Sequence, residues 1–174
     1  MSAEPFEAFV LRHQDLVFAT AIRLLGNRRD DEDVAQTVFL KAFERFDDIG
    51  ASPGAAAWLK TVTTNLCLND LTSRRSRARV CSELGRQDDE GGNVDYETTL
   101  VAEGSFVEEL ERAGEHKRLV EALYKLPAHQ RVPIVLFHFD QMSYQDIATR
   151  LGVSLAKVKT DIHRGREVLA ALLS

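Results

Sequence analysis

Cysteine is scarce in this 174-residue chain, which has only Cys67 and Cys81. They form no CxxC pair, and the histidines fall into no HExxH or mixed Cys–His spacing, so neither a zinc site nor a disulfide framework is expected. Cys67, inside the apolar "NLCLN", reads as a small core residue rather than a reactive thiol. No apolar run approaches the roughly 20 residues that cross a bilayer. The start, "MSAEPFEAF", lacks the basic and apolar stretches of a secretory signal, so the expectation is a cytoplasmic protein away from membranes. A Gly-rich phosphate loop and a nucleophile elbow are also missing. The sequence therefore points to no enzyme, no cofactor and no metal.

What is present is an ordinary globular share of hydrophobic residues, 44%, and an uneven charge. The formal net charge is −5. Residues 1–81 carry 11 basic and 11 acidic side chains, whereas residues 82–115 carry 11 acidic ones against only Arg86 and Arg112. Residues 116–174 carry 9 basic and 5 acidic side chains. The acidity belongs to one middle segment, and the last third is basic.

Hydrophobic spacing is helical on both sides of that segment, and no strand-like alternation outweighs it. In the first helix Phe6, Phe9, Val10, Leu16, Val17, Leu24 and Leu25 share a face before the stop at Gly26–Asn27. A second begins among Asp30, Asp31, Glu32 and Asp33, where a helix dipole favours acids, and its expected buried stripe is Val34, Val38, Phe39, Ala42, Phe43 and Phe46. "DDIGASPGA" reads as a loop. A third helix turns Trp58, Leu59, Val62, Leu66 and Leu71 inward. Periodicity then lapses through the polar, acidic "GRQDDEGGNVDYETT" and returns at "HKRLVEALYKLP". Pro133 marks a helix start close by. The expected fold is all-α: two small helical domains, residues 1–80 and 114–174, joined by a flexible acidic linker, residues 81–113.

The C-terminal "SYQDIATRLGVSLAKVKTDIHRGREVL" has the layout of a helix-turn-helix. Ser143 caps one helix with Asp146 three residues on, Gly152 supplies the positive φ of the turn, and Ser154 caps the next. Val158, Ile162, Gly165 and Leu169 face inward. The other side carries Lys157, Lys159, Thr160, His163, Arg164 and Arg166, the arrangement of a recognition helix with base readers flanked by phosphate contacts. Asp161 is discordant there. It either accepts from a cytosine amino group or pairs with a neighbouring lysine.

Taken in order, "DDEDVAQTVFLKAFERF", "WLKTVTTNLCLNDLTSRRSR" and "LVEALYKLPAHQRVPIVLFHFDQMSYQDIATRLGVS" resemble the bacterial extracytoplasmic-function sigma factors of the sigma-70 family. The stretches cover most of the chain apart from the linker. Five positions depart from the family pattern: Ala156–Lys157 replaces the common Gly-Thr, Asp161 and Gly165 stand where Arg and Ala are frequent, and Thr72 replaces an Arg. These departures concern which promoter is read.

The resemblance implies a transcription initiation factor that binds core RNA polymerase and directs it to promoter DNA. Asp33, Gln36 and Leu40 share a stripe away from the buried line, and the implied partner is the clamp coiled coil of the polymerase's largest subunit. The flap of the second subunit is implied for the C-terminal domain. Trp58, Lys60, Asn65, Arg74 and Arg75 are assigned to the −10 element. There an aromatic ring stacks on a freed base and arginines hold phosphates, while the loop Asp47–Ala55 captures a flipped base. Trp58 fits a core position equally well. Lys157, Lys159, Thr160, His163, Arg164 and Arg166 are assigned to the −35 element. The acidic segment is either a tether or a nucleic-acid mimic. Many relatives are held by an anti-sigma factor, a partner the resemblance allows and the residues do not specify. The competing function is a stand-alone helix-turn-helix regulator, which has no need of the Asp33–Gln36 stripe or of the helix around Trp58.

Overall fold

In a computed structural model, residues 5–26, 28–83 and 107–174 are described, and among them eight helices and no strand occur. The expected flexibility of the linker falls mostly on residues outside that set. At its edges the helices reach further than the sequence suggests, one running to Glu83 and the next starting at Val107.

The N-terminal half is built on α1 (Phe6–Leu25), α2 (Arg28–Glu44) and α4 (Ala55–Glu83). From α1, Phe9, Val17, Ala21, Leu24 and Leu25 are buried against Val34, Ala35, Val38 and Ala42 of α2 and Leu59, Cys67 and Leu68 of α4. Removing a fully buried Leu such as Leu59 costs about 2–5 kcal/mol. Thr63 is buried without penalty, because its hydroxyl donates to the Leu59 carbonyl at 2.7 Å.

Three expectations for this half change. Phe43, expected in the buried stripe, is 62% exposed. It lies three residues beyond Leu40, so helical geometry carries it out with the polar stripe. The expected loop instead begins with a helical turn, α3 (Phe46–Ile49), because Phe46 is held edge-on against Phe6 and Phe9 at 5.2 and 5.5 Å between ring centroids. Val62, Leu66 and Leu71 pack at the rim of the core and are only partly buried.

The C-terminal half comprises α5 (Val107–Lys125), α6 (Ala128–His138), α7 (Tyr144–Leu151) and α8 (Leu155–Leu173). Pro133 does not start its helix. Pro127 occupies the N-cap position and Pro133 sits inside α6, one backbone donor short. Burial of Val132, Ile134, Val135 and Leu136 around it offsets that loss. Gly165 of α8 lies where α6 crosses. A methyl group there would collide with the Ile134 δ-methyl and stand 3.3 Å from Gln130 Cβ.

The halves also touch. α5 and α6 pack against α1, and the left-handed C-cap Gly26 (φ 64°) lies under Tyr124 and Arg131, so close that a side chain would meet both at 3.1 Å.

Candidate nucleic-acid interface

The helix-turn-helix is capped at the residues that read as caps. Ser143 Oγ accepts from Asp146 N and Ser154 Oγ from Lys157 N, both at 3.1 Å, and Gly152 turns the chain at φ 65°. Val158, Ile162 and Gly165 are buried, so the opposite face of α8 is held outward. Lys157, Lys159, Thr160, His163, Arg164 and Arg166 are all exposed.

Their surroundings differ. Among the described residues Lys159 and Arg164 have no ion-pair partner. Lys157 Nζ lies 2.7 Å from Asp161 Oδ2. Asp161 is therefore not a groove-side acid, since it is buried beside Ile162 and its charge is taken by a lysine one turn earlier. The Thr160 hydroxyl bonds back to the Ala156 carbonyl at 3.0 Å, and His163 Nε2 is 3.4 Å from Glu167. Arg166 lies over the Phe137 ring and within 3.1–3.3 Å of His138 Nε2. Burial and the Arg166 charge both lower the His138 pKa, so the ring is neutral and Nε2 accepts.

On α4 the assigned residues fall into distinct settings. Trp58 is half-buried, packed against the core. Asn65 is half-buried and Arg75 exposed. Arg74, assigned to strand phosphate, instead bridges Asp30 and Asp70, the latter at 2.8 Å. Burial works against its charge, and the two carboxylates outweigh it, raising the pKa. Lys60 reaches into the other half of the molecule, donating to the Phe139 carbonyl at 2.7 Å and facing Asp140 Oδ1 at 3.2 Å.

The α2 stripe is exposed along its length. Asp33 and Gln36 face solvent and Leu40 is 65% exposed. The sequence reading missed Phe43, next on the same stripe. It missed as well the apolar groove between α1 and α2, lined by Phe18, Phe39, Leu40 and Phe43 among others. The spacing Gln36–Leu40–Phe43 carried that signal, but Phe43 reads as core while the packing of α1 is unknown. Cys67 is buried, and burial followed by the fields of Asp31, Asp70 and Asp140 pushes its thiol up to about 12, which leaves it unreactive.

Residues 9–77 match the family model of Sigma-70 region 2 and residues 116–169 that of Sigma-70, region 4. The chain is 35% identical to the ECF RNA polymerase sigma factor SigE of Mycolicibacterium smegmatis over 97% of its own length, spanning 62% of that protein. It is 32% identical to the ECF RNA polymerase sigma factor SigL of Mycobacterium tuberculosis, over 87% of this chain and 78% of SigL. In fold it is similar to the sigma factor RpoE of Bartonella quintana, solved in complex with the anti-sigma factor NepR. The TM-score is 0.55 and the identity 27%, covering 97% of this chain and 96% of that one. The chain belongs to the sigma-70 family, among its extracytoplasmic-function sigma factors.

Proposed function

We propose that this chain is a transcription initiation factor that joins core RNA polymerase and directs it to promoters through two separate DNA contacts. The observation that carries the reading is the presence of three outward faces on one molecule. The Asp33–Gln36–Leu40 stripe beside an apolar groove suits a basic helical partner with apolar side chains, the clamp coiled coil of the polymerase. Helix α4 bears Trp58, Lys60, Asn65, Arg74 and Arg75, the residues assigned to an opened −10 strand, with Trp58 for a base and the exposed Arg75 for phosphate. The face of α8 bearing Lys157, Lys159, Thr160, His163, Arg164 and Arg166 suits the major groove of the −35 duplex. The flap of the second polymerase subunit is assigned to the C-terminal domain, and an anti-sigma factor is a fitting controller.

In this reading residues 1–80 form the polymerase and −10 domain, 114–174 the −35 domain, and the chain works in the cytoplasm with no chemistry of its own. No described helix is long and apolar enough to cross a membrane. A stand-alone regulator would leave the α2 stripe and its groove without a use.

Transcription in vitro with core polymerase over a pool of random promoters tests the reading. The expected result is open-complex formation on a defined subset, with little DNA retained by the free chain. Tight operator-like binding without polymerase, and no promoter-directed transcription with it, would replace this function by the regulator.

A further inference from the structure

Arg166 stands on one flank of α8, seven residues and so close to two turns beyond Lys159. The flank of a recognition helix meets phosphates, whereas its centre meets base edges. The Arg166 guanidinium is not loose there. Its Nε lies 3.3 Å and its Nη2 3.1 Å from a single acceptor, Nε2 of His138 at the end of α6. The guanidinium carbon is also 5.4 Å from the centroid of the Phe137 ring. That ring meets His138 edge-on at 4.9 Å and lies tilted against Tyr144 of α7 at 4.8 Å. A cation of the recognition helix is thus seated on a platform built by α6 and α7.

The chemistry of the contact leaves Arg166 available to DNA. An arginine has donors and no acceptor, so His138 supplies the lone pair at Nε2 and carries its own proton on Nδ1. Partial burial and then the Arg166 charge keep that imidazole neutral. A neutral acceptor leaves the guanidinium its full charge, in contrast to Lys157, whose charge Asp161 offsets. His138 also engages only the Nε–Nη2 edge. Among the described residues Nη1 has no hydrogen bond or ion pair, and the side chain is exposed. An arginine already held by one edge and over a ring has less rotamer freedom to lose when a phosphate arrives.

We infer that His138 is a positioning residue for −35 binding: it holds Arg166 by one edge, over Phe137, so that the other edge is set for a backbone phosphate. This rests on the assignment of Arg166 to the −35 duplex. His138 acts through Arg166 and makes no contact with DNA of its own. A phosphate contact carries no sequence information, so the loss of His138 weakens every −35 sequence alike. Holding one rotamer-rich side chain in place accounts for about 3–10-fold in affinity.

A double-mutant cycle on the full chain tests this, with His138→Leu, Arg166→Ala and the two combined. Anisotropy at low salt reads affinity for a duplex that the chain selects from random sequence. His138→Leu should weaken binding about 3–10-fold, Arg166→Ala at least as much, and the double variant no more than Arg166→Ala alone. His138→Gln, whose amide oxygen accepts as Nε2 does, should recover most of the affinity. In the free parent, nitrogen-15 spectra should show His138 protonated on Nδ1 and a slowly exchanging Arg166 Nε–H, which His138→Leu abolishes. Melting curves check the fold, and His138→Ala replaces His138→Leu if that variant fails to fold. Additive losses would overturn the inference, as would a His138→Gln variant no better than His138→Leu, or a freely exchanging Nε–H in the parent. Promoter-directed transcription with core polymerase separates the two levels. A parent that transcribes while His138→Leu binds as well as it does sinks the positioning role alone. Coupling between His138 and Arg166 on duplex DNA, with no promoter-directed transcription, sinks the function alone.

Discussion

Asp161 is buried in α8, and its Oδ2 lies 2.7 Å from Lys157 Nζ, one helical turn earlier. An acid on a recognition helix would repel phosphate if it faced the groove. Here it faces inward and tethers one of the cations assigned to DNA. The pair itself contributes little to stability, about 0.3–0.5 kcal/mol for an i,i+4 pair. Its larger effect is on what Lys157 is free to touch.

Asp161→Asn should release Lys157 to a phosphate. The slope of log K against log salt for the −35 duplex, measured by anisotropy, should steepen by about 0.9, the contribution of one added phosphate contact. An unchanged slope would mean that Lys157 does not reach the backbone.

The three faces should fail separately. Arg164→Ala should weaken discrimination among −35 sequences by about 1–3 kcal/mol if Arg164 reads a base edge, leaving polymerase association intact. Gln36→Ala and Leu40→Ala should weaken polymerase association and leave −35 binding of the isolated chain unaltered. Filter binding for DNA and size-exclusion co-elution for polymerase separate the two. One shared defect would refute the division of labour.

Asp31 should give stability a pH dependence. Burial, then the neighbouring carboxylates of Asp30 and Glu32, raise its pKa to about 7 against the opposing pull of Arg131, and its Oδ1 has no hydrogen-bond partner. A carboxyl raised on folding contributes stability that is complete below its unfolded value near 3.8 and is lost as pH rises through about 7. Melting temperatures of the parent and Asp31→Asn should therefore diverge in favour of the variant from about pH 4 to pH 7, then run parallel. A constant difference across that window would show that Asp31 stays charged.

Gly165→Val should lower the melting temperature, because its Cβ methyls have nowhere to go between Ile134 and Gln130. Overpacking of this kind costs about 1–3 kcal/mol. Ile134→Val combined with it should recover part of the loss, since the colliding δ-methyl is then absent. An additive, unrecovered loss would place the strain elsewhere.

Much of the site was legible because it is set by neighbours in the chain. Ser143, Gly152 and Ser154 act within three or four residues, so their caps and turn follow from spacing. The exposed stripe of Asp33, Gln36 and Leu40 follows from helical periodicity once Val34 and Val38 face inward. Phe43 and Pro133 were misread for one shared reason. A phenylalanine is core only if another element covers it, and a proline inside a helix is tolerated only if its neighbours are well buried. Arg74 illustrates the same point for charge: its carboxylate Asp30 comes from a different helix, so the run of arginines on α4 looked uniform when it is not.

The sequence by itself determined the helices, their caps, the separation of an acidic middle from a basic end, and the family, because each depends on residues close in the chain or on motifs in order. Only the tertiary structure decided which charges are free. Lys60 meets Phe139 across 79 positions and Thr64 meets Asp140 across 76. Contacts that distant are fixed by how whole helices pack, and no local periodicity encodes them.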